Sequence, residues 1–591
     1  MASKHFRYIA TALFGLLYLN INAQLSGSVN VEGEYAPIVV ETERLNSLPK
    51  GYGFMLPATD LNYDFTGIVT DFRPDLLTMG VTGRLTDAPF SRRHGFIDFN
   101  LGSWLDSRLH AGAVLLADSV NAFTADLKFE SSSLYRMYGV PSSDVSRKAL
   151  YDGTLKLDYS RLMGSEGLLS AGVCYRLAYF NYYGTIPPQA PSQTLNDITA
   201  SINYNSSPSF IKGWHAGAKV NYMAFRRLYS PVTLGLSSKG GKETELNIDG
   251  GYIFGLGGYN ALSVDVDGSF LFYPSAHPLA LGLNESDKTG YGIMSIRPAY
   301  RFADGRFRLN AGLDMAVSYD AMGRNPGNSF SAVHLAPDIS FDYSTRGADF
   351  FLKAGGGVTP STMALGESFD LYRLPWVLST RPIYSPIDIR AGVTVGPFAG
   401  FSASATFRYA VTRNVPIGGW YQAYLGSFAT ASNPFVSDIY SSPYLQTVDL
   451  HGCSVDLDLR YAWGSMVDLS FSALYTPRKG TRGIFNGFDS PRWILSANAA
   501  VRPIKKLKVE AGYDYRGVRT CYAWVQGMTE NYLTGSRLQD ITDLHAKVSF
   551  TILNNLDIYC EGRNLLDTHP EIIPGLRSEG IVVAGGFYLE F

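Results

Sequence analysis

The stretch LKVEAGYDY, residues 507 to 515, decides the fold class. Leu507, Val509, Ala511, Tyr513 and Tyr515 fall on one face of an extended chain, and Lys508, Glu510, Gly512 and Asp514 on the other. Lys506 and Arg516 extend the polar row. A period of two is a strand with one apolar face. FRLNAGLDMAVSY from Phe307, SVDLDLRYAW from Ser454, VDLSFSALY from Val467 and LHAKVSFTI from Leu544 repeat the pattern. Such dyad repeats of about nine to thirteen residues suit tilted strands crossing a bilayer.

A large soluble sandwich alternates too, so connection lengths must decide. Residues 131 to 151, 184 to 193, 227 to 241, 359 to 387, 413 to 446 and 517 to 540 read as long connections. Between them fall short ones at 162 to 166, 207 to 211, 255 to 258, Ala303-Asp304, Pro503-Ile504 and Leu553-Asn554. Strict alternation of long and short is the habit of an outer-membrane barrel, with short periplasmic turns and long outer loops. The expected fold is all-β, a large antiparallel transmembrane barrel of about 22 to 24 strands. It occupies residues 62 to 591, with 62 to 86 read as either an extra hairpin or a lumen insert.

Membrane energetics then assign the faces. Turned over, the strand at 506 to 516 would set its charges against hydrocarbon, at roughly 2–4 kcal/mol for each basic residue near the midplane. The sequence therefore places Lys508, Glu510, Asp514 and Arg516 toward the lumen, and with them Asp456, Asp458 and Arg460.

The N-terminus supplies the route to that membrane. Lys4, His5 and Arg7 precede an apolar run from Tyr8 to Leu19, and Ile21-Asn22-Ala23 offers a cleavage site before Gln24. Residues 1 to 23 read as a secretory signal peptide, and 24 to 61 as a periplasmic arm able to meet a periplasmic partner. The expected location is the outer membrane, against its lipid.

Composition removes other classes. Formal net charge is −2, which leaves no basic footprint for nucleic acid. The four cysteines, Cys174, Cys453, Cys521 and Cys560, are scattered without a C-x-x-C pair, so neither a disulfide framework nor a zinc site is expected. Asp456 and Asp458 stand about 7 Å apart on one strand face, and His545 shares the lumen side, yet no H-E-x-x-H or G-x-S-x-G pattern accompanies them. Asn284 to Asp287 reads as a calcium loop or a solvated turn. No catalysis and no cofactor are expected.

The chain ends on GGFYLEF, with Phe587, Leu589 and Phe591 on one face. The segment from Arg563 to Phe591 resembles the close of TonB-dependent outer-membrane receptors. Asn564-Leu565-Leu566-Asp567 matches the element ending their penultimate strand. Pro574, Gly575 and Arg577 match the following loop, and Phe587 to Phe591 the last strand. The resemblance implies that Phe587, Leu589 and Phe591 form the signal read by the barrel-assembly machinery. Those receptors carry a folded plug, for which residues 24 to 61 are too few. Ala36 to Asn46 is similar to their short box for an energising partner, or is an extended arm or lumen strand.

Long loops add aromatic groups. Tyr372 and Trp376 lie in one, Trp420, Tyr421 and Tyr424 in another. They serve either loop packing or recognition of a ligand. Two functions stay open: a barrel that moves or gates a solute, and a scaffold that docks an envelope-assembly or secretion partner.

Overall fold

The computed structural model describes residues 94 to 591, apart from 104–105, 135–147, 165, 182–191, 230–236, 275–288, 321–330, 370, 372–381, 418–419, 425–436, 441–445, 481–490, 527–530, 574–575 and 579. The signal peptide, the arm and the segment 62 to 86 expected from the sequence lie outside the described residues.

Period-two residues become antiparallel strands because alternate side chains can then bury on one face and meet lipid on the other. Among the described residues, twenty-three strand segments, from Gly95–Gly102 to Val582–Glu590, hydrogen-bond into one sheet. Val467–Tyr475 and Arg478–Gly480 both pair with Gln446–Trp463, so they are halves of one stave interrupted at Thr476-Pro477. Proline has no amide to give the ladder. Counting those halves once leaves 22 staves.

Closure is carried by the two ends of the described chain. Gly95–Gly102 pairs with Ser107–Ala117 on one side and with Val582–Glu590 on the other, with Phe99 opposite Phe587 and Ile97 opposite Leu589. Pairing continues to the terminal residue: His94 N and Gly95 N donate to Phe591 O at 2.6 and 3.0 Å, and Phe591 N donates to Gly95 O at 2.9 Å. A closed sheet has no free edge, which is what lets strands cross hydrocarbon.

From the strand Asn121–Leu134 onward, long and short connections alternate as expected, with the short turns displaced by a residue or two. Pro503 ends up inside the strand Trp493–Ile504, and the turn falls on Lys505-Lys506. The longest stave, Gln446–Trp463, has 18 residues, more than the 9–11 or so that a tilted crossing needs. The wall is therefore taller there than the hydrocarbon is thick.

The two faces differ chemically. On Gly167–Asn181, Val173, Tyr175, Leu177 and Tyr179 are exposed, while Arg176, Ala178 and Phe180 turn to the other side. The strands Asn260–Tyr273 and Thr289–Ala303 repeat this, with Val266 and Met294 exposed opposite Asp265, Asp267 and Arg297. A bilayer accepts only the apolar row, so this is the architecture of an outer-membrane barrel with a charged interior.

Candidate functional site: a helix latched to the barrel wall

After the strand Ala348–Thr359 the chain does not stay in a loop but folds into a helix, Met363–Phe369. Thr362 caps it: its Oγ1 accepts from Leu365 N at 2.9 Å, and its carbonyl accepts from Gly366 N at 3.2 Å. Met, Ala and Leu favour the helical state locally. Seven residues are too few to be stable alone, so tertiary contacts must hold them.

Those contacts come from the charged side of the wall, near its long-loop end. Met363 is fully buried in a cluster with Phe180, Leu195, Met223, Leu271, Tyr273 and Tyr291. Burying such a side chain is worth roughly 1.5–3 kcal/mol. Tyr291 and Tyr273 direct their hydroxyls to Ser361 O at 3.4 Å, and Ser361 N donates to Tyr291 Oη at 2.6 Å. The chain is thereby fixed just before the helix starts.

Each end of the helix meets a charge. Glu243, on Lys242–Gly257, is completely buried, and both its carboxylate oxygens accept from Met363 N, at 3.0 and 2.8 Å. A carboxylate there satisfies an amide with no intrahelical partner and opposes the positive end of the helix dipole. Toward the other end, Glu367 takes two hydrogen bonds of 3.0 Å from Arg176 Nη1. The same guanidinium grips Asp152 on Lys148–Met163, with Nε at 3.0 Å from both oxygens and Nη2 at 2.5 Å. Arg176 thus ties the helix to a fixed carboxylate of the wall.

The sequence did not single out this assembly. Glu243 and Arg176 are two of many charges in dyad rows, and no seven-residue segment shows a helical period. The Ser361-Thr362 pair before Met-Ala-Leu was the available local signal, an N-cap followed by helix formers.

The residues that the sequence did single out fall elsewhere on the wall. Lys508 Nζ and Glu510 Oε1 are 2.7 Å apart, and Asp514 Oδ2 lies 3.7 Å from His545 Nδ1. Arg516 closes the same strand, Leu507–Arg516. Arg460 pairs with Asp468 at 2.7 Å, and Asp458 accepts from Ser404 Oγ at 3.3 Å; Asp456 shares their parity on Gln446–Trp463. Asp514, Asp543 and His545 have ligand atoms within 4.8 Å of one another. Asp543 is already engaged, accepting from Asn564 N at 2.7 Å.

Trp420, Tyr421 and Tyr424 belong to a short strand, Trp420–Tyr424, which pairs in parallel with Arg519–Gln526 of a different long connection. With Ser437–Tyr440 and Asn531–Leu538 these make a second, four-stranded sheet. Tyr372 and Trp376 lie outside the described residues.

No family model matches the chain, and no curated protein does. Solved structures do. An FrpB iron transporter from Neisseria meningitidis superposes with a TM-score of 0.62 at 9% identity, over 85% of this chain and 82% of that one. The siderophore receptor PirA from Acinetobacter baumannii gives 0.60 at 10% identity, over 84% and 80%. The ferripyoverdine receptor of Pseudomonas aeruginosa gives 0.55 at 10% identity, over 84% and 72%. This chain has the barrel of such receptors. These neighbours are transporters and receptors, not enzymes.

Proposed function

We propose that this chain is a transport barrel of the outer membrane that passes or gates a solute through a lumen narrowed by its own long-loop segments. The helix Met363–Phe369, packed on the charged side of the wall, carries the reading, because a connection folded inward takes up space that a solute would use. In this reading Asp456, Asp458, Arg460, Lys508, Glu510, Asp514 and Arg516 line a wet path. Their mixed signs suit a polar solute and hold polar inserts. The outer aromatics Tyr372, Trp376, Trp420, Tyr421 and Tyr424 supply the first contact surface. The strand ending in Phe587, Leu589 and Phe591 addresses the chain to the assembly machinery, and residues 24 to 61 meet a periplasmic partner. The iron and siderophore neighbours make a metal chelate one class of solute to try.

Planar-bilayer recording tests the central claim. The intact protein should give low or flickering conductance, rising when residues 361 to 371 are replaced by a Gly-Ser linker. A large steady conductance from the intact chain would instead indicate a diffusion porin. A barrel closed in both forms would favour the scaffold reading.

A further inference from the structure

The wall side of the latch has one property that a permanent core contact lacks. If the helix departs, Arg176 still holds Asp152 through Nε and Nη2, so neither charge is orphaned. Glu243 would lose its bonds to Met363 N. Leaving forfeits the apolar seat of Met363 together with the hydrogen bonds of Glu367 to Arg176, of Met363 N to Glu243 and of Ser361 to Tyr291.

The two latches differ in accessibility. Arg176 and Glu367 keep 27% and 11% of their side-chain surface open, whereas Glu243 has none. Something in the lumen can reach the Arg176–Glu367 pair while Glu243 is still covered.

We propose that the helix Met363–Phe369 is a two-latch gate, held at Arg176–Glu367 and at Glu243 and released as one unit. The idea rests on the transport reading, and its test separates the two. Hydrogen–deuterium exchange of the full-length protein in nanodiscs would follow the peptide spanning residues 361 to 371 in wild type, Glu367→Gln and Glu243→Gln. Each variant weakens one charge-assisted contact, so exchange should rise about tenfold. It should rise along the whole peptide, with strand protection and heat-modifiable gel migration unchanged. Faster exchange confined to the mutated end, or no change in either variant, would overturn the gate. Concerted release with unaltered bilayer conductance would keep the gate and refute the solute path.

Discussion

Tyr559, on the penultimate stave Leu556–Arg563, donates its hydroxyl to Asp98 Oδ1 on the first stave, Gly95–Gly102, across the closing strand between them. The crossing is possible because the intervening position is Gly586. A Cβ there would stand 2.5 Å from Tyr559 Cζ and 2.4 Å from Phe99 O. Asn100 adds a second tie over the same strand, donating to Glu561 Oε1 at 3.1 Å. Three staves are thus joined where the barrel closes.

Replacing Gly586 by Val should displace Tyr559 and distort the seam, at about 1–3 kcal/mol, the usual range for forced overpacking. Tyr559→Phe should cost about 1.5–3 kcal/mol, because the lost hydrogen bond has a charged acceptor. Urea midpoints of the folded band on unheated gels would measure both. Unchanged midpoints would show that backbone pairing alone holds the seam.

Asp at Phe587, Leu589 and Phe591 together should abolish insertion. These residues occupy the apolar row of the last strand, with Phe587 between Phe99 and Ile558, and Leu589 between Ile97 and Leu556. The substitution charges the lipid side of the seam. Surface labelling of intact cells is the readout, and normal exposure of the triple variant would refute the assembly role.

Topology is open to a labelling experiment in a background lacking Cys174, Cys453, Cys521 and Cys560. Cysteine at Asp540, in the long connection 517–540, should react with an impermeant maleimide on whole cells. Cysteine at Lys505, in the two-residue turn after Trp493–Ile504, should react only once the outer membrane is opened. The opposite result would invert the barrel.

The parallel pairing of Trp420–Tyr424 with Arg519–Gln526 sets Tyr421 opposite Trp524. Paired strands bring Cα atoms to about 5 Å, within disulfide reach. In the same cysteine-free background, Tyr421→Cys with Trp524→Cys should oxidise to a faster-migrating species, whereas Tyr421→Cys with Arg519→Cys should not. Equal crosslinking of both pairs would mean that the two long connections are not held in this register.

Much of this architecture was legible because its cause is local. Period-two alternation in LKVEAGYDY and its fellows specifies strands and, through the cost of charge in lipid, their faces. Spacing between such segments gives a large barrel with two unlike ends, and the terminal aromatic strand marks a closing stave. Turns were readable only to a residue or two, because strand propensity does not stop sharply at Pro503.

What the chain alone could not disclose depends on pairs distant in sequence. The helix Met363–Phe369 is too short for a period, and it persists through Glu243, 120 positions away, and Arg176, 191 positions from Glu367. Each of those charges looks like any other member of its dyad row until register places it under the helix. Likewise, Gly586 is one small residue in a strand until Tyr559 is seen to pass over it to Asp98. Sequence determined the wall, because alternation and lipid act on each strand separately; tertiary structure decided what is fastened to that wall, because fastening needs residues that only barrel closure brings together.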